Sequence, residues 1–191
     1  MAQTANTARS SRSELSAECL GAAQRGEARA FRVLVRRYER PVFGVLGRML
    51  RPAGLDHLVE DLAQETFVRA YRALPNFDPA KGARLSTWLL TIATRLAINA
   101  LQRKQAVPLR GPEPFDGADQ RAERRALGQA LESAAAKLPA NFRAVWVLHA
   151  YQELTHDEIA TALGIEVGTV KSRLSRSRRI LREALAEVWD G

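Results

Sequence analysis

Residues 105–119, QAVPLRGPEPFDGAD, constrain the fold of this chain more than any other stretch. They carry three prolines and two glycines. Each proline removes a backbone donor and pushes the residue before it out of the helical region, so neither a helix nor a central strand can run through them. The segment reads as a linker. On both sides of it apolar residues recur at spacings of three and four, the signature of amphipathic helices, and no stretch alternates with the period of a strand. The expected fold is therefore all-α: two small helical domains joined by a Pro/Gly-containing linker. The expected boundaries are a disordered tail over 1–13, a first domain over 14–104, the linker over 105–119 and a second domain over 120–188.

Within the first half a helical pattern starts near Ser13. Phe31, Leu34, Val35 and Tyr38 then mark one face of a helix that Pro41 either kinks or breaks, and Val42, Val45, Leu46 and Met49 continue the pattern. Pro52 and Gly54 predict a turn. Asp56 is the expected N-cap of a helix reaching about Leu74. The segment 75–84, PNFDPAKGAR, is a loop, and Ser86 or Thr87 opens a helix to about Lys104. In the second half, helices are expected over about 120–137 and from Pro139, a favoured first-turn residue, to about Tyr151. Thr155 and Glu158 have the spacing of a capping box for a short helix ending near Leu163. Gly164 supplies a tight turn, and a last helix runs from about Val167 to Val188.

Composition excludes several classes of function. A single cysteine, Cys19, rules out a disulfide framework and a cysteine-rich zinc site, and among three histidines there is no HExxH. No Gly-rich phosphate loop is present, and adjacent carboxylates such as Glu60/Asp61 diverge by about 100° on a helix. The chain is thus expected not to be an enzyme and to need no metal or cofactor. No apolar run is long enough to span a membrane, and the N-terminus lacks the apolar core of a secretory signal, so a cytoplasmic protein is expected.

Charge points toward a polyanion. The chain holds 29 Lys and Arg against 21 Asp and Glu, and a pI near 10.5 suits such a partner. The surplus lies in residues 1–104, with 17 basic and 9 acidic residues. The second half is balanced in sum but sorted along the chain. Glu153, Asp157, Glu158 and Glu166 come first; Lys171, Arg173, Arg176, Arg178, Arg179 and Arg182 follow with no acid between them.

That cationic run lies on the second helix of a helix-turn-helix spanning 154–182. Projected at about 100° per residue, Val170, Leu174, Leu181 and Leu185 form the core stripe. Ser172, Arg176 and Arg179 fall opposite, flanked by Thr169, Arg173 and Ser175. Arginine can grip a guanine edge with two hydrogen bonds and serine can bond a base edge, while Lys171, Arg178 and Arg182 point sideways toward phosphates. A second group combines Phe67, Tyr71, Phe77 and Trp88 with nearby Arg69, Arg72, Lys81, Arg84, Arg95, Arg103 and Lys104. Interleaved aromatics and cations suit unstacked bases of a single strand. From the residues alone, Phe67 and Trp88 fit apolar helix faces and read as core.

The segment DLAQETFVRAYRALPNFDPAKGARLSTWLLTIATRLAINALQRK (61–104) resembles domain two of the bacterial extracytoplasmic-function (ECF) sigma factors. LPANFRAVWVLHAYQELTHDEIATALGIEVGTVKSRLSRSRRILREAL (138–185) resembles their domain four, and RGEARAFRVLVRRY (25–38) the start of domain two. The resemblance implies a protein that binds core RNA polymerase, directs it to promoters and promotes melting of the duplex. It implies polymerase binding by Asp61, Gln64 and Glu65, which share one helix face. For the minus-ten strand it implies the region Asn76 to Thr87 and the helix after it, namely Asn76, Phe77, Lys81, Arg84, Thr87, Trp88 and Arg95. The minus-thirty-five duplex would be read by Thr169, Lys171, Ser172, Arg173, Ser175, Arg176, Arg178 and Arg179. An anti-sigma factor is a further implied partner.

Three positions depart from the family's usual residues. Glu166 stands where Ser or Pro is common, Arg95 replaces a common asparagine and Asn99 a common aspartate. A helix-turn-helix regulator acting on duplex operators, without being a polymerase subunit, would account for the second half but leave Asp61, Gln64, Glu65 and the 75–88 segment without a role.

Overall fold

A computed structural model describes residues 14–81, 84–105, 130 and 133–189. The expected tail over 1–13 and nearly all of the expected linker lie outside the described residues. Among those described, every regular element is a helix. The first, α1 (Ala17–Gln24), starts later than the periodicity near Ser13 predicts, because the Ser16 side chain accepts from the Cys19 N–H and caps it. Ahead of it, the Glu14 carboxylate accepts from the hydroxyls of Tyr38 and Ser86. Burial, reinforced by the Glu14 charge, holds the Tyr38 phenol well above the usual tyrosine range.

The second helix, α2 (Ala28–Leu50), runs straight through Pro41. Proline forfeits one hydrogen bond there, but Leu34, Tyr38, Val42, Val45, Leu46 and Met49 on its inner face are almost wholly buried and hold the helix together. Gly54, at φ 64°, reverses the chain. Asp56 opens a single 3-10 turn rather than capping an α-helix, and α3 spans Val59–Ala73. After the loop, α4 runs Leu85–Gln105, starting one residue before the expected Ser86 or Thr87.

In the second half, residues 133–136 are helical; the rest of the helix expected over about 120–137 lies largely outside the described residues. Helix α5 (Ala140–Ala150) begins one residue later than expected, with Pro139 as its N-cap. The capping box forms as the spacing predicts: Thr155 Oγ1 accepts from the Glu158 N–H, and the Glu158 carboxylate accepts from the Thr155 N–H, opening α6 (His156–Leu163). Gly164, at φ 68°, closes α6, and α7 occupies Val167–Trp189.

The halves are not separate globules. One buried cluster takes Val45, Leu46, Met49 and Leu50 from α2, Leu90, Ala93 and Ala97 from α4, and Ala144, Val147, Leu148, Ile159, Val170 and Leu174 from the second half. A second cluster lies wholly within the first half, around Leu34, Tyr38, Leu74, Phe77 and Leu89. A third, of Ala134, Leu138, Leu181 and Ala184, anchors the far end of α7. Helices α2 and α4 therefore each divide along their length, the N-terminal part packing within the first half and the C-terminal part entering the shared cluster.

Candidate nucleic-acid interface

The helix-turn-helix is built from α6, the Gly164 turn and α7. Only a residue tolerating positive φ can end α6 there, and the turn is closed by the Ile165 N–H donating back to Ala160 O at 3.0 Å. On α7 the core stripe is as the projection places it, with Val170, Leu174 and Leu181 buried. Ser177 joins them. Its position, seven residues after Val170 and four before Leu181, lies on the projected stripe, and its hydroxyl donates to Arg173 O at 2.8 Å, one turn back.

The outward face is as expected. Lys171, Ser172, Ser175, Arg176, Arg178 and Arg179 are exposed, and Thr169 and Arg173 are half-buried at its edges. The contacts these cations make are loose. Arg179 approaches Glu183 at 3.9 Å with both side chains about two-thirds exposed, and Arg178 Nη2 lies 3.5 Å from His149 Nε2. Such pairs contribute little and yield readily to a stronger anion.

On α3, Asp61 and Gln64 are exposed and Glu65 is half-buried, all within one turn. Glu65 is not unpaired, however. Its carboxylate accepts from Arg69 Nε at 2.7 Å, one turn on, and this fixes the carboxylate along the helix. Val68 and Tyr71 continue the same surface as exposed apolar side chains.

The aromatic and basic group divides. Phe77 is buried, packed against Trp88 with ring centroids 5.0 Å apart, and Thr87 is buried beneath the start of α4. Phe77 belongs to the first-half core and Thr87 is buried in the first turn of α4, so neither side chain is presented outward. Trp88 is half-buried and Asn76 exposed; Lys81 ends the 3-10 turn Pro79–Lys81. Tyr71 pairs instead with Phe31, ring centroids 4.9 Å apart. Phe67 packs between the first-half cluster and the shared one, as the core assignment has it.

The two remaining expected strand contacts, Arg84 and Arg95, face the other half of the chain. Arg84 Nη1 lies 3.5 Å from Glu158 Oε1, in the capping box of α6. Arg95 is exposed, and its guanidinium lies 3.7 Å from where a Cβ on Gly164 would sit. Neither proximity is legible in sequence, since the partners are more than 65 residues apart.

Sequence reasoning also missed Arg143. It lies on the apolar side of α5 and is 4% exposed. Nη1 donates to Met49 O at 2.8 Å, and Nη2 to Ala136 O and Leu138 O at 3.0 and 3.1 Å. Met49 is in the last turn of α2, where carbonyls have no partner within the helix, so the guanidinium caps a helix of the other half. Burial lowers its pKa to about 10, still cationic at neutral pH. An arginine flanked by Ala140, Ala144 and Val147 on a helical wheel is the one signal that sequence offered.

Family models described as Sigma-70 region 2 and Sigma-70 region 4 match residues 34–107 and 128–181. The chain is 33% identical to the ECF RNA polymerase sigma factor SigW of Bacillus subtilis, over 86% of this chain and 94% of that protein. It is 34% identical to the ECF RNA polymerase sigma factor SigE of Mycolicibacterium smegmatis over 81% of this chain, and spans 61% of that relative's length. Among solved structures it is similar to CnrH in complex with the cytosolic domain of CnrY, at 29% identity and TM-score 0.66, covering 88% of this chain and 96% of that one. The sigma factor RpoE of Bartonella quintana, solved with the anti-sigma factor NepR, shares the fold at 23% identity and TM-score 0.58, covering 82% and 96%.

Proposed function

This chain belongs to the ECF sigma factors, and on that premise we propose that it binds core RNA polymerase through its first half and places the enzyme on promoters that both halves recognise. The functional units are 14–104, which takes polymerase and the minus-ten element, and 120–188, which takes the minus-thirty-five element, with 105–119 as tether. Asp61, Gln64 and Glu65 form the polymerase contact. Arg176 and Ser172 read base edges from the centre of the α7 face, with Thr169, Arg173, Ser175 and Arg179 around them. Lys171 and Arg178 set the register on phosphates. Asn76, Lys81, Arg84, Trp88 and Arg95 hold the opened strand, over a floor made by Phe77 and Thr87.

The observation that carries this function is the outer face of α7, where six Lys and Arg lie between residues 171 and 182 with no acid among them. A solvated face has no need of such sorting. The first half supplies what an operator-binding regulator lacks, an exposed acidic-polar turn beside apolar Val68 and Tyr71. Opening a duplex by capturing a flipped base costs a few kcal/mol, within reach of binding energy alone, so the chain works without hydrolysing a nucleotide and is not an enzyme. Among the described residues no helix is long and apolar enough to cross a membrane; core polymerase and promoter DNA, the proposed partners, place its action in the cytoplasm. An anti-sigma factor is a further partner, and the similar CnrH structure holds a second protein, the cytosolic domain of CnrY.

Co-sedimentation with purified core polymerase, followed by a salt titration on duplex DNA, tests both halves. The expected result is a stoichiometric complex and DNA affinity that falls steeply with salt. DNA binding with no polymerase complex would leave only the regulator function.

A further inference from the structure

The seam between the halves brings a carboxylate onto a cation that the proposed function assigns to DNA. Glu158 is held rigidly for this. Its Oε2 accepts from the Thr155 N–H at 2.8 Å and is 3.0 Å from Thr155 Oγ1. Its Oε1 is turned the other way, 3.5 Å from Arg84 Nη1, with the glutamate side chain only 23% exposed. Carboxylate and phosphate each offer a guanidinium a pair of anionic acceptor oxygens. A capped glutamate therefore presents to Arg84 what a strand phosphate would.

The surroundings keep the two groups together. Ile159 and Ala160, the residues after Glu158, are buried in the cluster that holds Leu90, Ala93 and Ala97 of α4. Arg95, about three helical turns beyond Arg84, lies against the Gly164 turn that follows α6. Arg143 closes the same seam at Met49 O, and Arg48 of α2 stacks over the Tyr151 ring, 4.1 Å from its centroid. Separating the halves exposes apolar surface and strips a buried cation of one of its acceptors, so the closed arrangement is the resting one for the free chain.

We propose that Glu158 is an internal stand-in for a promoter phosphate, occupying Arg84 while the halves are closed and yielding it to the strand when they part. This rests on the strand-binding role of Arg84 proposed above. In the closed form the recognition helix belongs to the same compact body as the strand-binding helix. Two promoter elements about two turns of duplex apart cannot both be reached from it, since one turn is about 34 Å. Opening and DNA capture are then coupled through one cation. The free chain binds single strands weakly, and parting the halves removes the competitor.

The test is a mutant cycle read by fluorescence anisotropy of a mixed-sequence single-stranded DNA 20-mer, with full-length chain and no polymerase. Glu158→Gln keeps the cap, because glutamine also serves in a capping box, but removes the charge facing Arg84. Arg84→Gln removes the cation. Glu158→Gln should tighten binding by about two- to fivefold, the range of a partly exposed ion pair, and should do nothing in the Arg84→Gln background. No tightening, or the same tightening in both backgrounds, would overturn the proposal. Failure of the underlying function shows elsewhere, as absence of a polymerase complex with the unmodified chain.

Discussion

Arg143, from the second half of the chain, donates a 2.8 Å hydrogen bond to the carbonyl of Met49 in the first, and does so from inside the core. No acid lies within ion-pair distance of it among the described residues; three carbonyls take the place of one. A planar fork can reach Met49 O on one side and Ala136 O and Leu138 O on the other, which a single ammonium cannot.

Arg143→Lys should accordingly destabilise the free chain by about 2–4 kcal/mol, since a buried cation keeps its desolvation cost and loses acceptors. Arg143→Met, which removes the charge as well, should cost less than the lysine. Urea unfolding followed by circular dichroism measures both, and a lysine variant as stable as the wild type would show that the three carbonyls are not what holds the guanidinium.

Thr155→Ala removes one half of the capping box. The loss should be about 1 kcal/mol of stability, with α6 the first helix to lose hydrogen-exchange protection. Uniform loss across all helices would mean that α6 does not open independently of the shared core.

Arg176 is exposed and opposite the buried Val170 and Leu174. Arg176→Ala should leave the melting curve unchanged, cost about 1–3 kcal/mol on a cognate upstream element and relax preference at one base pair. Equal loss on all sequences, with a shallower salt dependence, would reassign Arg176 to a phosphate.

Changing Gln64 and Glu65 together to Ala should weaken core polymerase binding and leave duplex binding by the second half unaltered. The Glu65–Arg69 pair, 2.7 Å apart and partly exposed, is worth only a few tenths of a kcal/mol to the helix. A loss of polymerase affinity can therefore not be put down to unfolding, and unaltered affinity would remove these residues from the contact.

The helices of each half, the capping box at Thr155 and Glu158 and the outward cations of α7 are legible from residue order, because each depends on neighbours within about four positions. The burial of Phe77 and Thr87 is not legible in the same way. Local sequence shows that an aromatic sits beside cations, but not which side of the loop the core claims. The seam between the halves was not legible at all. Val45, Ala93 and Ala144 are ordinary core residues on any helical wheel, and nothing in their spacing says that they share one cluster. Arg84 and Glu158 each carry a complete local explanation, one as a loop cation and the other as a capping residue, and their pairing exists only in three dimensions.

Run-off transcription measures directly whether this chain makes core polymerase start at promoters. Core enzyme from the same organism is incubated with genomic promoter fragments, with and without the purified chain, and transcripts are sequenced from their 5′ ends. Discrete starts are expected that depend on the chain, lie downstream of shared upstream and minus-ten sequences, and disappear when Gln64 and Glu65 are changed together to Ala. Transcripts unchanged by the chain, in the presence of demonstrable binding to duplex DNA, would contradict the proposed function.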